Sequence, residues 1–251
     1  MSDISKYYRA LDNAVNSPYD WPMPVQERKA WSKSAGGRPI DLFASSNFKW
    51  TKDESPLVFI GGVHGDEPEG VWLAEATLDW LRNATASAVG ISWLLIPCLN
   101  PDGLELNQRM NGNGVDINRN FPNQNWSPEF PKPRYNPGPK PASEPETRAM
   151  LKLIEDYKPQ MIIHCHSWNP CIVLTGDKGV NCAEYLAAST GYPYKQDIGY
   201  PTPGSLGDYA WYEKDIPVIC VEVAEKIERE KVWPLFKSGI EKVFLNGRID
   251  V

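Results

Sequence analysis

Pro56-Leu57-Val58-Phe59-Ile60-Gly61-Gly62-Val63 runs directly into His64-Gly65-Asp66-Glu67, and this one stretch sets the reading of the chain. A short apolar run that ends at glycines suits a buried strand. From Pro68 onward, Val71, Leu73, Ala74, Leu78 and Leu81 recur at helical spacing. His64 and Glu67 therefore fall in a strand-to-helix turn, and in open α/β sheets sites form at the carboxyl ends of strands. The i, i+3 spacing lets both side chains aim at one point. Alone, the pair has a plainer reading, a capping histidine and a first-turn acid favoured by the helix dipole.

A second segment, His164-Cys165-His166-Ser167, changes that balance, because all three histidines of the chain lie in these two segments. Zinc takes nitrogen and oxygen ligands in a tetrahedral shell, and a catalytic site leaves one position for water. His64, Glu67 and one later histidine would supply three ligands for one zinc ion. Met161 to His166 reads as a strand, so His164 and His166 point the same way. Only one of them needs to bind. His166, nearer the strand's end, is the expected ligand, and His164 a packed or hydrogen-bonded neighbour.

The remaining elements alternate in type. Ile91 to Leu99 and Pro217 to Ala224 read as strands, and Asn181 to Thr190 and Val232 to Leu245 as helices. Glu144 to Tyr157 reads as a helix opened by Ser143 with Glu146 three residues on, the capping-box pattern. The first 55 residues suggest a helix and an edge strand. Residues 123–141, rich in proline and asparagine, can continue neither a helix nor a central strand. They are expected to form an ordered loop over the site, packed through Trp126, Phe130 and Tyr135. No repeat or composition break appears, so residues 1–251 are expected to form a single α/β domain.

Two further segments carry charge where chemistry can use it. Arg109 and Arg119 lie in a run of asparagines and glycines around the strand-like Val115-Asp116-Ile117. Arg119, between Asn118 and Asn120, could grip a carboxylate bidentately, and Arg109 could stabilise a developing oxyanion. The bland alternative is turn formers with surface arginines. In Val218-Ile219-Cys220-Val221-Glu222-Val223-Ala224, a carboxylate inside an apolar strand is costly unless paired or functional. Glu222 is therefore expected to act as general base, taking a proton from zinc-bound water and returning it to a leaving amine. A structural ion pair is its bland alternative.

The net charge of −6 argues against a nucleic-acid binder, and no run approaches the ~20 apolar residues that cross a bilayer. The five cysteines lie mostly in apolar segments and read as free thiols. MSDISKYYRALDNAV has no signal-peptide core, which points to the cytoplasm.

In this order, His-x-x-Glu at 64–67, Asn-Pro-Asp-Gly at 100–103, Asn-Arg-Asn-Phe at 118–121, Ser-Glu-Pro-Glu-Thr at 143–147, His-Ser-Trp at 166–168 and the strand glutamate at 222 resemble the zinc carboxypeptidases, or funnelins. The resemblance implies a mixed, mainly parallel eight-stranded sheet with helices on both faces. It implies zinc on His64, Glu67 and His166, with Glu222 as base. Asn118 and Arg119 would hold the terminal carboxylate of a small peptide substrate, and Arg109 would polarise the scissile carbonyl. Gly199-Tyr200-Pro201-Thr202-Pro203-Gly204-Ser205-Leu206-Gly207 and the close spacing of Arg109 and Arg119 resemble the murein peptide amidase branch. So does Asp66, where digestive members carry arginine. That branch implies cleavage between γ-D-glutamate and meso-diaminopimelate. Tyr200 would then hydrogen-bond the scissile amide, and Asp208 would pair with the far ammonium of diaminopimelate.

Rival readings are an N-acyl amino acid deacylase of the succinylglutamate desuccinylase and aspartoacylase type, a carboxypeptidase for another C-terminal tail, and a catalytically dead peptide binder. The first shares the Gly-x-His-Gly-x-Glu turn seen at Gly62–Glu67.

Overall fold

A computed structural model describes residues 24–85 and 88–246. Within them the chain forms one eight-stranded sheet. Strands β1 (Gln26–Lys33) and β2 (Pro39–Ala44) make an antiparallel hairpin at one edge. They are followed by β3 (Leu57–Ile60), β4 (Trp93–Ile96), β5 (Met161–Trp168), β6 (Cys171–Thr175), β7 (Tyr194–Lys195) and β8 (Val218–Ala224). The spatial order is β1-β2-β4-β3-β5-β8-β6-β7. The centre, β4-β3-β5-β8, is parallel throughout, as is the edge pair β6–β7. The β1–β2, β2–β4 and β6–β8 pairs are antiparallel. The sheet is thus mixed with a parallel core, as expected.

Alternation along the central strands decides what each face meets. Leu57 and Phe59 of β3, with Trp93 and Leu95 of β4, face one apolar cluster. That cluster includes residues of α1 (Pro68–Asn83), α4 (Val180–Thr190) and α6 (Arg229–Asn246). Val58, Ile60, Leu94 and Ile96 point the other way, into a cluster with Met150, Leu153 and Ile154 of α3 (Pro145–Tyr157). Leu206, Tyr209 and Ala210 join the second cluster from the short turn α5 (Leu206–Asp208) and the π-helical turn Tyr209–Glu213 that continues it. Burying both faces of the strands in this way requires near-continuous apolar runs, which is what the sequence supplies.

Several expectations need correction. Ser143 and Glu146 form no capping box. The N-cap of α3 is Glu144 and has no side-chain cap bond. Ser143 Oγ donates to Glu144 Oε1 instead, while Glu146 accepts from Ala35 N and Asn111 Nδ2. Glu146 is thus drawn towards the β1–β2 hairpin, away from its own helix start. Val115-Asp116-Ile117 is not a strand, because Asp116 caps a single 3-10 turn, Ile117–Arg119. Residues 24–55 hold two strands and no helix; the rest of the helix expectation, and the N-terminal segment read for a signal, lie outside the described residues. All five cysteines are free thiols. No helix among the described residues is long and apolar enough to cross a membrane.

Candidate active site

The site lies at the carboxyl ends of β3, β5 and β8, which run side by side. β3 ends at Ile60, and the following turn brings His64 and Glu67 to the start of α1. Gly65 makes that turn possible, since a Cβ there would stand 1.8 Å from the carbonyl carbon of Gly103. The close approach fits the role of Asn100, which caps α2 (Pro101–Leu106) by accepting from Gly103 N and donates to Arg109 O. The Asn-Pro-Asp-Gly turn therefore fastens the Arg109 loop against the His64 turn. On β5, His166 stands in register with Glu222 of β8.

The histidine protons decide what these residues can hold. His64 Nε2 lies 3.1 Å from Asp116 Oδ1, and His166 Nε2 lies 2.8 Å from His164 Nδ1. A neutral His64 that donates to Asp116, and a neutral His166 that donates to His164, each present an unprotonated Nδ1. Those two Nδ1 atoms are 2.9 Å apart, and Glu67 sets one oxygen 2.9 Å from the first and the other 2.7 Å from the second. In those tautomers three electron-pair donors converge with no proton between them, an arrangement a cation satisfies. Burial opposes ionisation of Glu67, but imidazolium charge on His64 and His166 outweighs it and holds the carboxyl well below the usual range, a positive charge that a cation supplies once both rings are neutral. The donor set fits zinc, and the outer partners Asp116 and His164 fit the usual way a ligating imidazole is oriented.

A second candidate set, His164, His166 and Cys220, shares one histidine with the first. It fits less well. Its His166 nitrogen already faces His164, and burial beside Glu222 pushes the Cys220 thiol well above its ordinary range, so binding would have to displace a strongly held proton.

Charge around the triad is arranged in layers. Arg109 donates through Nε to Asp116 Oδ2 at 2.7 Å and through Nη1 to Glu67 Oε1 at 3.1 Å. Asp116 is fully buried, and although burial opposes its charge, Arg109 and His64 hold it low. Arg119 is 6 % exposed and has no acidic partner within salt-bridge distance among the described residues. Its Nη1 donates to Asn118 O, and its guanidinium lies 5.6 Å from the ring centre of Tyr135. The bland alternative of surface arginines fails at both positions because their loop is folded under residues 133–142. Gly204 (φ +73°) packs against this segment so closely that a Cβ would sit 2.1 Å from Arg119 O. Asn118 Oδ1 accepts from Leu206 N, which ties that turn to the arginine.

Glu222 is buried. Burial, reinforced by the charge of Glu67, pushes its carboxyl up to about 8. Cys220 Sγ lies 3.4 Å from Glu222 Oε1. No ion pair involves Glu222 among the described residues, so its bland alternative finds no partner there. Tyr200 is partly exposed, with its ring edge-on to Trp168 at 5.7 Å, and close enough to Arg119, Glu222 and Arg109 for their charges to act on it. Asp208 accepts from Asn125 Nδ2 and, among the described residues, from no cation.

Sequence reading passed over Asp116, which joins His64 to Arg109. The signal was available, for Asp116 is a carboxylate flanked by Val115 and Ile117, the same anomaly that singled out Glu222. In the 123–141 loop, expected to pack through Trp126, Phe130 and Tyr135, Tyr135 lies against the arginines and Trp126 beside Gly204, but Phe130 is exposed.

Comparison with known proteins identifies the family. A family model described as zinc carboxypeptidase matches residues 26–182. Murein peptide amidase A of Escherichia coli K12 is 35 % identical over 202 residues, covering 76 % of this chain and 78 % of that protein. Its Vibrio campbellii counterpart is 29 % identical over 205 residues, covering 77 % and 78 %. The crystal structure of murein-tripeptide amidase MpaA from Escherichia coli O157 matches with a TM-score of 0.71 at 28 % identity, covering 90 % of this chain and 93 % of that one. Carboxypeptidase A from Helicoverpa armigera gives 0.73 at 19 % identity, covering 99 % and 73 %, a likeness of fold. A family match over more than half of the chain, carried on this fold and on these convergent donors, shows that the chain belongs to the zinc carboxypeptidase family of metallopeptidases.

Proposed function

We propose that the chain is a zinc-dependent amidase that hydrolyses the bond before a C-terminal residue, cleaving γ-D-glutamyl-meso-diaminopimelate in murein peptides. The observation that carries this reading is Arg119, a buried guanidinium with no counter-ion among the described residues, in the same site as three convergent metal donors. A buried unpaired charge is costly, and the terminal carboxylate of a substrate removes that cost. The similarity to murein peptide amidases supports the choice of peptide.

In this reading His64, Glu67 and His166 hold one zinc ion. When bound, zinc supplies Lewis acidity that acidifies water and polarises a carbonyl. Arg119, with Asn118, receives the terminal carboxylate in a bidentate grip and sets the register of the peptide. Arg109 has Nε and Nη1 engaged by Asp116 and Glu67, which leaves Nη2 to donate to the scissile carbonyl oxygen as charge develops there. Glu222 takes the proton of the attacking water on a carboxylate oxygen. The hydroxyl oxygen bonds to the carbonyl carbon, the C–N bond breaks, and Glu222 returns the proton to the leaving nitrogen. Tyr200, near enough to Arg119, Glu222 and Arg109 for their charges to act on it, is assigned to hydrogen-bond the scissile amide. Asp208, held by Asn125, is assigned to the far ammonium of diaminopimelate, and unchanged selectivity for diaminopimelate over alanine termini in Asp208→Asn would remove that assignment.

Asp116 orients both His64 and Arg109. Asp116→Asn is expected to weaken zinc binding by about 10- to 100-fold in chelator competition and to lower stability by about 3 kcal/mol in denaturant unfolding. Wild-type zinc affinity in this variant would contradict the role.

Mass spectrometry of L-Ala-γ-D-Glu-meso-diaminopimelate incubated with the zinc-loaded protein, with N-succinylglutamate in parallel, tests the function. Release of free diaminopimelate is expected, with N-succinylglutamate intact. Cleavage of the acylated amino acid alone would transfer the chain to the deacylase reading.

A further inference from the structure

Three guanidinium groups surround one tyrosine ring. The centre of the Tyr135 ring lies 5.2 Å from Arg109, 5.6 Å from Arg119 and 5.8 Å from Arg134. Two of the three have duties in the reading above, and the third has none. Arg134 comes from the 3-10 turn Pro133–Tyr135 of the proline-rich loop, and its Nη2 donates to Asp66 Oδ2 at 3.0 Å. Asp66 belongs to the same turn as the donors His64 and Glu67, so this contact pins Arg134 at the rim of the metal site.

The contact leaves most of Arg134 uncommitted. The pair is single-pronged, because Asp66 Oδ1 is buried with no hydrogen-bond partner. Side-chain exposure is 49 % for Arg134 and 29 % for Asp66, and an ion pair that open to water adds little to stability. A guanidinium offers five donors in a planar fork matched to carboxylates, and among the described residues only one is engaged here. Charge favours an anion as well. Against Arg109, Arg119 and Arg134 stand Glu67, Asp116 and Asp66, and a zinc ion would add two positive charges that Glu222 only partly offsets. That leaves one net positive charge, which suits a substrate whose own net charge is negative.

The order of contacts places each arginine along that substrate. Arg119 is tied to the 204–206 turn through Gly204 and Asn118, Arg109 is bound to Glu67 and Asp116 in the middle, and Arg134 is tied to the ligand turn through Asp66. With the terminal carboxylate on Arg119 and the scissile carbonyl at Arg109, Arg134 stands on the acyl side. A glutamate linked through its side chain carries a free α-carboxylate on that side, which an ordinary α-linked peptide lacks.

We propose that Arg134 is a specificity-determining residue that binds the carboxylate on the acyl side of the scissile bond, so that the enzyme selects γ-linked acidic peptides. The proposal rests on the amidase reading. It is tested by kcat/KM of the zinc-loaded wild type, Arg134→Gln and Arg134→Lys on two peptides, L-Ala-γ-D-Glu-meso-diaminopimelate and the same peptide with the glutamate α-carboxylate amidated. The wild type is expected to prefer the acid by about 10- to 100-fold, the range for one charge-assisted contact. Arg134→Gln should erase that preference through a higher KM on the acid, with the amide turned over as by the wild type. Arg134→Lys should keep part of it.

An unchanged preference in Arg134→Gln, an equal loss on both peptides, or no preference in the wild type would each overturn the proposal while leaving the amidase reading intact. Cleavage of neither peptide by the wild type would overturn both.

Discussion

Glu222→Gln is expected to lower kcat/KM by about 10³-fold while raising the thermal stability of the zinc-free protein at alkaline pH. The two effects share one cause. Glutamine is nearly isosteric but cannot take up the proton of water, so the general-base step is lost. The carboxylate it replaces is also a burden in the absence of zinc. Its pKa is pushed from an ordinary 4.5 up to about 8 by burial and by Glu67. Below about pH 4.5 the carboxyl is protonated in both folded and unfolded chains and imposes no penalty. Between that value and about 8 the unfolded chain ionises first, so stability falls as pH rises, and above about 8 the whole penalty is present. That penalty is on the order of a few kcal/mol. Melting curves of the zinc-free wild type and variant should therefore coincide near pH 4.5 and separate towards pH 8, the variant melting higher. Parallel curves would show that Glu222 is not strained, and near-normal turnover would show that another group moves the proton.

His166→Ala should have the other large effect, because this residue links everything at the centre. It offers Nδ1 beside Glu67 and His64, receives orientation from His164, and stands in register with Glu222. Removing it leaves two of the three donors. Zinc affinity is expected to fall by more than about 100-fold, beyond the range for losing an outer partner, and amidase activity should fall with zinc occupancy. His164→Ala, which removes only the acceptor for His166 Nε2, belongs within that outer-partner range of about 10- to 100-fold. Dialysis against graded chelator with metal analysis measures both. Equal zinc retention by wild type and His166→Ala would place the metal elsewhere.

Much of this was legible in the chain because apolar runs and isolated polar residues obey opposite rules. Leu57–Ile60 and Met161–Ile163 are fully buried on both faces, so their composition announced the parallel centre of the sheet. Glu222 stood out because a carboxylate inside such a strand is costly unless it is paired or functional. Asp116 made the same signal but sat among turn-forming asparagines and glycines, where polar residues are ordinary. Ser143 and Glu146 carried a local capping pattern that long-range contacts to Ala35 and Asn111 overrode. The Asp66–Arg134 contact spans 68 residues of sequence and depends on how a proline-rich loop folds back, which no local pattern encodes. Local chemistry thus picked out the candidate metal donors, whereas the partners that orient and charge-balance them emerge only from the fold.

The central claim is that zinc sits on His64, Glu67 and His166. X-ray absorption spectroscopy at the zinc edge of the stoichiometrically loaded protein addresses it without reference to any substrate. The account predicts a first shell of nitrogen and oxygen alone, at about 2.0–2.2 Å, with imidazole scattering from two histidines. A sulfur scatterer at about 2.3 Å would put the metal on the His164, His166 and Cys220 set and contradict the account.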